Sequence, residues 1–88
     1  KESYHPKAFL SSTKNVRLGL VARTKIVVLL EKGDFNAKTL AEKVRLSYTA
    51  VLHHLHLLET ESIIERRGTK PFLWKLTGAG QQRLINLK

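Results

Sequence analysis

The sequence predicts a mainly α domain with one small β-hairpin. Three observations carry that prediction. Apolar residues recur at helical spacing through the first part of the chain, as Ile26/Leu29/Leu30, Leu40/Val44 and Val51/Leu55/Leu58. Asn36 and Ser47 each stand where a helix needs an N-terminal cap. After Ser62 the pattern shortens to two strand-like runs, residues 63–66 and 72–76, around the turn chemistry of Arg67-Gly68-Thr69-Lys70-Pro71. At 88 residues there is room for a single domain. A chain of this size buries only about 60–65% of its unfolded surface, so its core is thin.

The elements follow in order. Residues 1–15 (KESYHPKAFLSSTKN) are polar, contain Pro6 and read as a flexible N-terminal arm, with at most a short turn around Phe9 and Leu10. The folded domain is expected over residues 16–88. Residues 16–32 read as a helix: Val27-Val28 is also strand-like, and length decides for the helix. Gly33 suits a left-handed C-terminal cap. Asn36 caps a helix over 37–44, with Phe35 and Leu40 at the two hydrophobic-staple positions. Ala41 permits close helix approach, and Lys38, Glu42 and Lys43 are left for solvent.

Arg45-Leu46 is a short break, and Ser47 caps a second helix reaching to about residue 60. Its inner stripe is Val51, Leu55 and Leu58. Its outer face carries Tyr48, Thr49, Leu52, His53 and His56. Thr77 caps a last helix over 78–87, with Leu84 and Leu87 on one side and Gly78 and Gly80 weakening its first turn.

Sixteen Lys and Arg against seven Asp and Glu give a formal charge of +9, which points to a polyanionic partner. The flanks carry it. Residues 1–35 hold seven cations and three acids, residues 63–88 hold six and one, and residues 36–62 hold three of each. A docking surface would use the flanks for phosphates and the centre for something else. The absence of Cys excludes disulfides, thiolate metal sites and thiol nucleophiles. The longest apolar run, 26–30, is too short to span a bilayer, so no membrane partner is expected. The N-terminus lacks the apolar stretch of a signal peptide. The expected location is the cytoplasm, at the nucleoid. The sequence does not begin with Met, which is compatible with a processed, trimmed or internal start. The acids are scattered, with no pair near a nucleophile, so neither an enzyme nor a cofactor is expected.

Two helices joined by a three- or four-residue turn make a helix-turn-helix, and a following hairpin makes the winged variant. The motifs are Leu40-Ala41, Leu46-Ser47, Val51, His53-His54-Leu55, Leu57-Leu58, Ile63-Ile64 and a closing Leu76-Thr77 with Gly80. Together they resemble the winged helix-turn-helix of the ArsR-like transcriptional regulators of bacteria and archaea. Three positions depart from that pattern. Arg45 stands where the family often has Gly, which implies either a right-handed turn or a left-handed one costing about 1–2 kcal/mol. Leu52 stands where the family often has Ser, and it exchanges a hydrogen bond for an apolar contact to a thymine methyl. Ser62 replaces the usual Gly before the strand.

The expected function is a transcriptional regulator that binds double-stranded DNA. Helix 47–60 would enter the major groove, which admits one α-helix, and the basic wing 66–71 would lie on the backbone. Residues 46–62 contain no Lys or Arg, so the commonest guanine contact is unavailable from this helix. Base contacts therefore fall to Ser47, Tyr48, Thr49, Leu52, His53 and His56. Backbone contacts fall to Lys38, Lys43, Arg45, Arg66, Arg67, Lys70 and Lys75. If about five phosphates are neutralised per protomer, log K should fall against log salt with a slope of roughly −4 to −5. A homodimer is expected through the terminal segments, which hold Phe9, Leu10, Val16, Leu18 and Leu20 at one end and Leu84, Ile85 and Leu87 at the other. The alternatives are a protein- or RNA-binding winged helix within a larger assembly, and a nonspecific, chromatin-like DNA binder.

His53 and His56 lie three apart and could share an ion. A closed site needs three or four ligands, and only His5 and acids such as Glu59 remain, so no metal is expected. An unperturbed imidazole titrates at about pH 6.5, so mild acid would add charge to this helix. His54 is expected at the edge of the core, hydrogen-bonded. Phe72 and Trp74 alternate on a strand, and one of them is expected in the core.

Overall fold

The caps predicted at Asn36 and Ser47 form. The Asn36 side chain accepts the Thr39 N–H at 2.8 Å, and the Ser47 hydroxyl accepts the Ala50 N–H at 3.1 Å. Each satisfies an orphan donor and contributes about 1 kcal/mol. The structure, a computed structural model, describes residues 3–11 and 14–78. A 3-10 turn, Pro6–Ala8, precedes helix α1, Arg17–Lys32. Strand β1, Phe35–Asn36, leads directly into α2, Ala37–Val44, and then α3, Tyr48–Thr60. Strands β2, Ile64–Arg67, and β3, Leu73–Leu76, close the fold.

The turn between α2 and α3 is left-handed at Arg45, with φ 61° and ψ 43°. The N–H groups of Arg45 and Leu46 both fold back onto the Ala41 carbonyl. The same device recurs after α3. Ser62 has φ 62°, while Glu61, Ser62 and Ile63 return their N–H groups to Leu57, Glu59 and Leu58. Of the two geometries open for Arg45, the chain thus takes the costlier one, and it does so again at Ser62.

The core is where the helical stripes predicted it. Ile26, Val27, Leu40, Val51, Leu55, Leu58 and Ile63 have no exposed surface. Burying a side chain of this size stabilises the fold by about 1.5–3 kcal/mol. Trp74 joins this core from β3 at 2% exposure, while its neighbour Leu73 faces outward at 43%. That alternation is the period of a strand.

The sheet has order β1-β3-β2 and is antiparallel throughout. Arg66 pairs with Trp74 across β2 and β3, and Phe35 pairs with Trp74 across β1 and β3. The hairpin strands each begin one residue later than expected. Strand β1 went unpredicted because two residues carry no periodicity, and Asn36 serves both as its last residue and as the cap of α2.

Two other expectations are revised. Gly33 ends α1 in extended backbone (φ 165°, ψ −175°), not in the left-handed region. Residues 3–11, expected in a flexible arm, are packed down. Ala8 is fully buried and Leu10 is 6% exposed. The His5 N–H donates to Thr24 Oγ1 at 3.1 Å, and His5 Nδ1 accepts the Lys7 N–H at 3.0 Å. That acceptor role leaves the proton on Nε2, which donates to Glu31 at 2.7 Å. Ser11 is held by Glu61 through its N–H at 3.0 Å. Only Gly78 of the expected last helix lies within the described residues; Leu84, Ile85 and Leu87 lie outside them.

Candidate nucleic-acid interface

The wing is fastened to α3 by one arginine. Arg66 Nε donates to Glu59 Oε2 at 2.9 Å and Nη2 donates to Oε1 at 3.1 Å, a two-pronged pair between β2 and α3. The same guanidinium lies 5.1 Å from the Phe72 ring centre and 5.4 Å from that of Trp74. Charge pairing and ring stacking therefore meet on a single side chain. Neither Glu59 nor this geometry was legible from spacing, since the partners sit on different elements seven residues apart.

This clamp shapes a groove of about 590 Å³ between the start of α2, the outer face of α3 and the wing. Tyr48, Leu52 and His56 line it from α3, Lys38 from α2, and Arg66 and Lys70 from the hairpin. Three elements distant in sequence thus bring aromatic, apolar and cationic groups to one concave face. Asn36, Pro71 and Phe72 also line it and were not among the expected contacts.

The remaining expected residues divide between other surfaces. Ser47 and Thr49 are exposed at the start of α3, and the Ser47 hydroxyl is already engaged as the cap. Leu52 is half-buried against the core and presents only part of its side chain outward. Arg67 and Lys70 are exposed on the wing. Lys43 and Arg45 lie at the far end of α2, beside Lys25 and Val28 of α1. Lys43 also stands 5.7 Å from the Phe35 ring centre. Lys75 borders Glu31 and Asp34 near the end of α1, away from the groove.

The two outward histidines part company. His56 faces the groove, with its ring 6.3 Å from that of Trp74. His53 instead lines a second, larger cleft between α1 and α3. Among the described residues, no group of three or more His, Cys, Asp or Glu is placed to hold a metal ion. His5 is occupied by Glu31.

His54 sits at the core edge, as expected, with Nδ1 3.4 Å from Arg23 Nη1. Burial, then the Arg23 charge, then His53 lower its pKa to about 4, so it is neutral at physiological pH. Nothing in the sequence spacing singles out Arg23. It is 3% exposed, with Nε donating to the Ala8 carbonyl at 2.7 Å and Nη2 to Asn15 Oδ1 at 3.2 Å. A lone Arg inside a helical stripe gives no signal that it points inward. No helix among the described residues is long and apolar enough to cross a membrane.

Neither a family model nor a curated protein sequence matches the chain. Solved structures do. A protein described as a possible transcriptional regulator for arsenical resistance superposes with a TM-score of 0.69 and 26% identity, covering 76% of this chain and 71% of its own. HlyU from Vibrio cholerae N16961 superposes with a TM-score of 0.63 and 19% identity, covering 76% of this chain and 75% of its own. The second likeness bears on the fold alone. Together with the capped α2–α3 pair and the clamped hairpin, these neighbours settle the architecture: the chain carries a winged helix-turn-helix fold, which it shares with these solved structures.

Proposed function

We propose that this protein is a transcriptional regulator that binds duplex DNA, with α3 in the major groove and the wing, residues 66–71, along the phosphate backbone. The convergence of Lys38, Tyr48, His56 and Lys70 on the groove between α3 and the wing supports this reading. A helix flanked by cations on two sides matches a groove flanked by two phosphate strands. Arg67, exposed on the wing, extends the cationic border, and Arg45, at the far end of α2, would meet the backbone separately from the groove. Regulation would act through occupancy, with the bound protein blocking or recruiting polymerase. A place at the nucleoid in the cytoplasm follows from the same reading.

Pairing of two copies is the finer part of the proposal. Of the apolar residues offered at the N-terminal end, Leu10 and Leu20 are buried within one copy. Phe9, Val16 and Leu18 remain 39%, 54% and 75% exposed and would form the contact. A two-fold dimer would read half-sites about 34 Å apart.

The test is fluorescence anisotropy of the protein against a random duplex and against an RNA hairpin, each at two salt concentrations. Tight, salt-sensitive binding that prefers the duplex is the expected result. Thr49→Ala and Tyr48→Ala should weaken it. The absence of Lys and Arg from α3 favours one rival, a winged helix that docks protein or RNA. Equal or better binding to the hairpin would transfer the assignment to that rival.

A further inference from the structure

Three pairings read base edges most selectively: Arg or Lys with guanine, Asn or Gln with adenine, and Asp or Glu with cytosine. Around the groove between α3 and the wing, the side chains that could make them are committed elsewhere. Arg66 and Glu59 spend paired donors and acceptors on each other, at 2.9 and 3.1 Å. Asn36 holds its Oδ1 on the Thr39 N–H at 2.8 Å. Lys38 and Lys70 are exposed, but they stand on α2 and the wing, the flanks that the DNA-binding reading gives to phosphates. Residues 47–60 contain no Arg, Lys, Asn, Gln or Asp, and their one acid is Glu59.

What α3 presents to the groove is a largely apolar stripe. Tyr48, Leu52 and His56 recur every four residues and line it together. Tyr48 is 53% exposed. Leu52, between Tyr48 and His56, is half-buried and packed against the core, which fixes its position. Pro71 and Phe72 line the same groove from the wing. The Tyr48 hydroxyl and the His56 ring offer single hydrogen bonds, and the N7 acceptor of either purine meets those equally. They do not choose between bases. The major-groove feature that an apolar stripe selects is the C5-methyl group of thymine.

Resting on the DNA-binding reading, we propose that this stripe reads thymine: Leu52 takes the C5-methyl group with the Tyr48 ring beside it, so the step bound by this part of α3 is an A·T pair. Burying one methyl group corresponds to about a fourfold gain in affinity. Thymine and uracil pair alike with adenine and differ by that methyl, so base reading can be separated from backbone binding.

The test is fluorescence anisotropy of the full chain against two pools of short random A·T duplexes, one made with thymine and one with uracil, at the same salt concentrations. The expected result is about fourfold tighter binding to the thymine pool, with the same salt slope for both. Leu52→Ala should erase the difference and leave binding to the uracil pool unchanged. A random G·C pool should gain about the same factor when its cytosines carry a 5-methyl group, which occupies the corresponding place in the major groove. If Leu52→Ala does not fold, the unaltered chain on these four pools decides alone. Equal affinities for thymine and uracil would overturn the proposal. So would a difference that survives in folded Leu52→Ala, or 5-methylcytosine that adds nothing. Tight, salt-sensitive binding that ignores the methyl group would leave the DNA-binding reading standing while this inference fails, and binding to none of the pools would overturn both.

Discussion

Replacing two adjacent arginines of the wing should give opposite phenotypes. Arg66 is tied to Glu59 by two hydrogen bonds and stacked against Phe72 and Trp74. Arg67, the next residue, is exposed at the end of β2. In a complex neutralising about five phosphates, each contact contributes about 0.9 to the slope of log K against log salt, giving about −4.5 in total. Arg67→Ala should flatten that slope by about 0.9 and leave the melting temperature unchanged. Arg66→Ala should leave the slope unchanged, because its charge is already matched by a carboxylate. It should instead lower stability. The side chains of the pair are 42% and 30% exposed, so solvent screening holds the ionic part below about 1 kcal/mol. Stacking adds about 0.5–1 kcal/mol. For a domain of this size, each kcal/mol lowers the melting temperature by about 4–8 °C. Trp74 is the sole tryptophan, so its fluorescence reports the loss of the overlying guanidinium directly. Anisotropy titrations between about 50 and 200 mM salt, beside thermal melts, measure both quantities. A full unit of slope lost in Arg66→Ala, with melting unchanged, would refute the clamp and restore Arg66 as a phosphate contact.

Three further outcomes follow from individual residues. His54 has a folded pKa of about 4 against 6.5 for the free side chain, so the unfolded chain binds the extra proton first. Stability is therefore fully present above pH 6.5 and declines as pH falls toward 4; urea midpoints at intervals across that window should show the decline, and His54→Gln should flatten it. Ser62→Gly relieves a left-handed serine worth about 1–2 kcal/mol, less about 0.5–1 kcal/mol of added chain entropy. The urea midpoint should rise without a change in m, and a fall would show that the serine side chain stabilises the turn. Trp74→Ala removes a side chain only 2% exposed, at a cost of about 3–5 kcal/mol. That approaches the whole stability of a small domain, so its far-UV circular dichroism should show a largely unfolded chain, and a cooperative melt near the parent temperature would contradict the burial.

The helices were legible because their signals are local. A cap and its donor lie three residues apart, and the stripe of Val51, Leu55 and Leu58 lies on one helix, so spacing alone exposes them. The hairpin was legible from turn chemistry around Gly68, which has φ 79°. Strand β1 was not, because what makes Phe35 a strand residue is its pairing with Trp74, thirty-nine positions away. The packing of residues 3–11 was hidden for the same reason. Pro6, His5 and Ser11 read as a polar arm until Thr24, Glu31 and Glu61 supply their partners. A polar residue is indistinguishable from a solvated one until the chain that satisfies it has been folded beside it.

The candidate site divides along the same line, and the division alters its chemistry. Composition located the positive charge on the flanks but could not show which cations were already matched. Arg66 and Arg67 are equivalent in sequence, yet the first faces Glu59 and the second faces water. Lys75 is as basic as Lys70, yet it borders Glu31 and Asp34 while Lys70 borders the groove. His53 and His56 share a helical face by spacing, yet they line clefts on opposite sides of α3. Pairing lowers the number of wing cations free to meet phosphate, but the Glu59–Arg66 clamp also fixes where the others point. Arg67 and Lys70 are carried on a hairpin held to α3, so their separation from Tyr48 and His56 is set before any partner arrives. A wing loosened by Glu59→Gln would keep every cation on the hairpin and still bind less tightly, because the ordering of that hairpin would then be charged to the binding step.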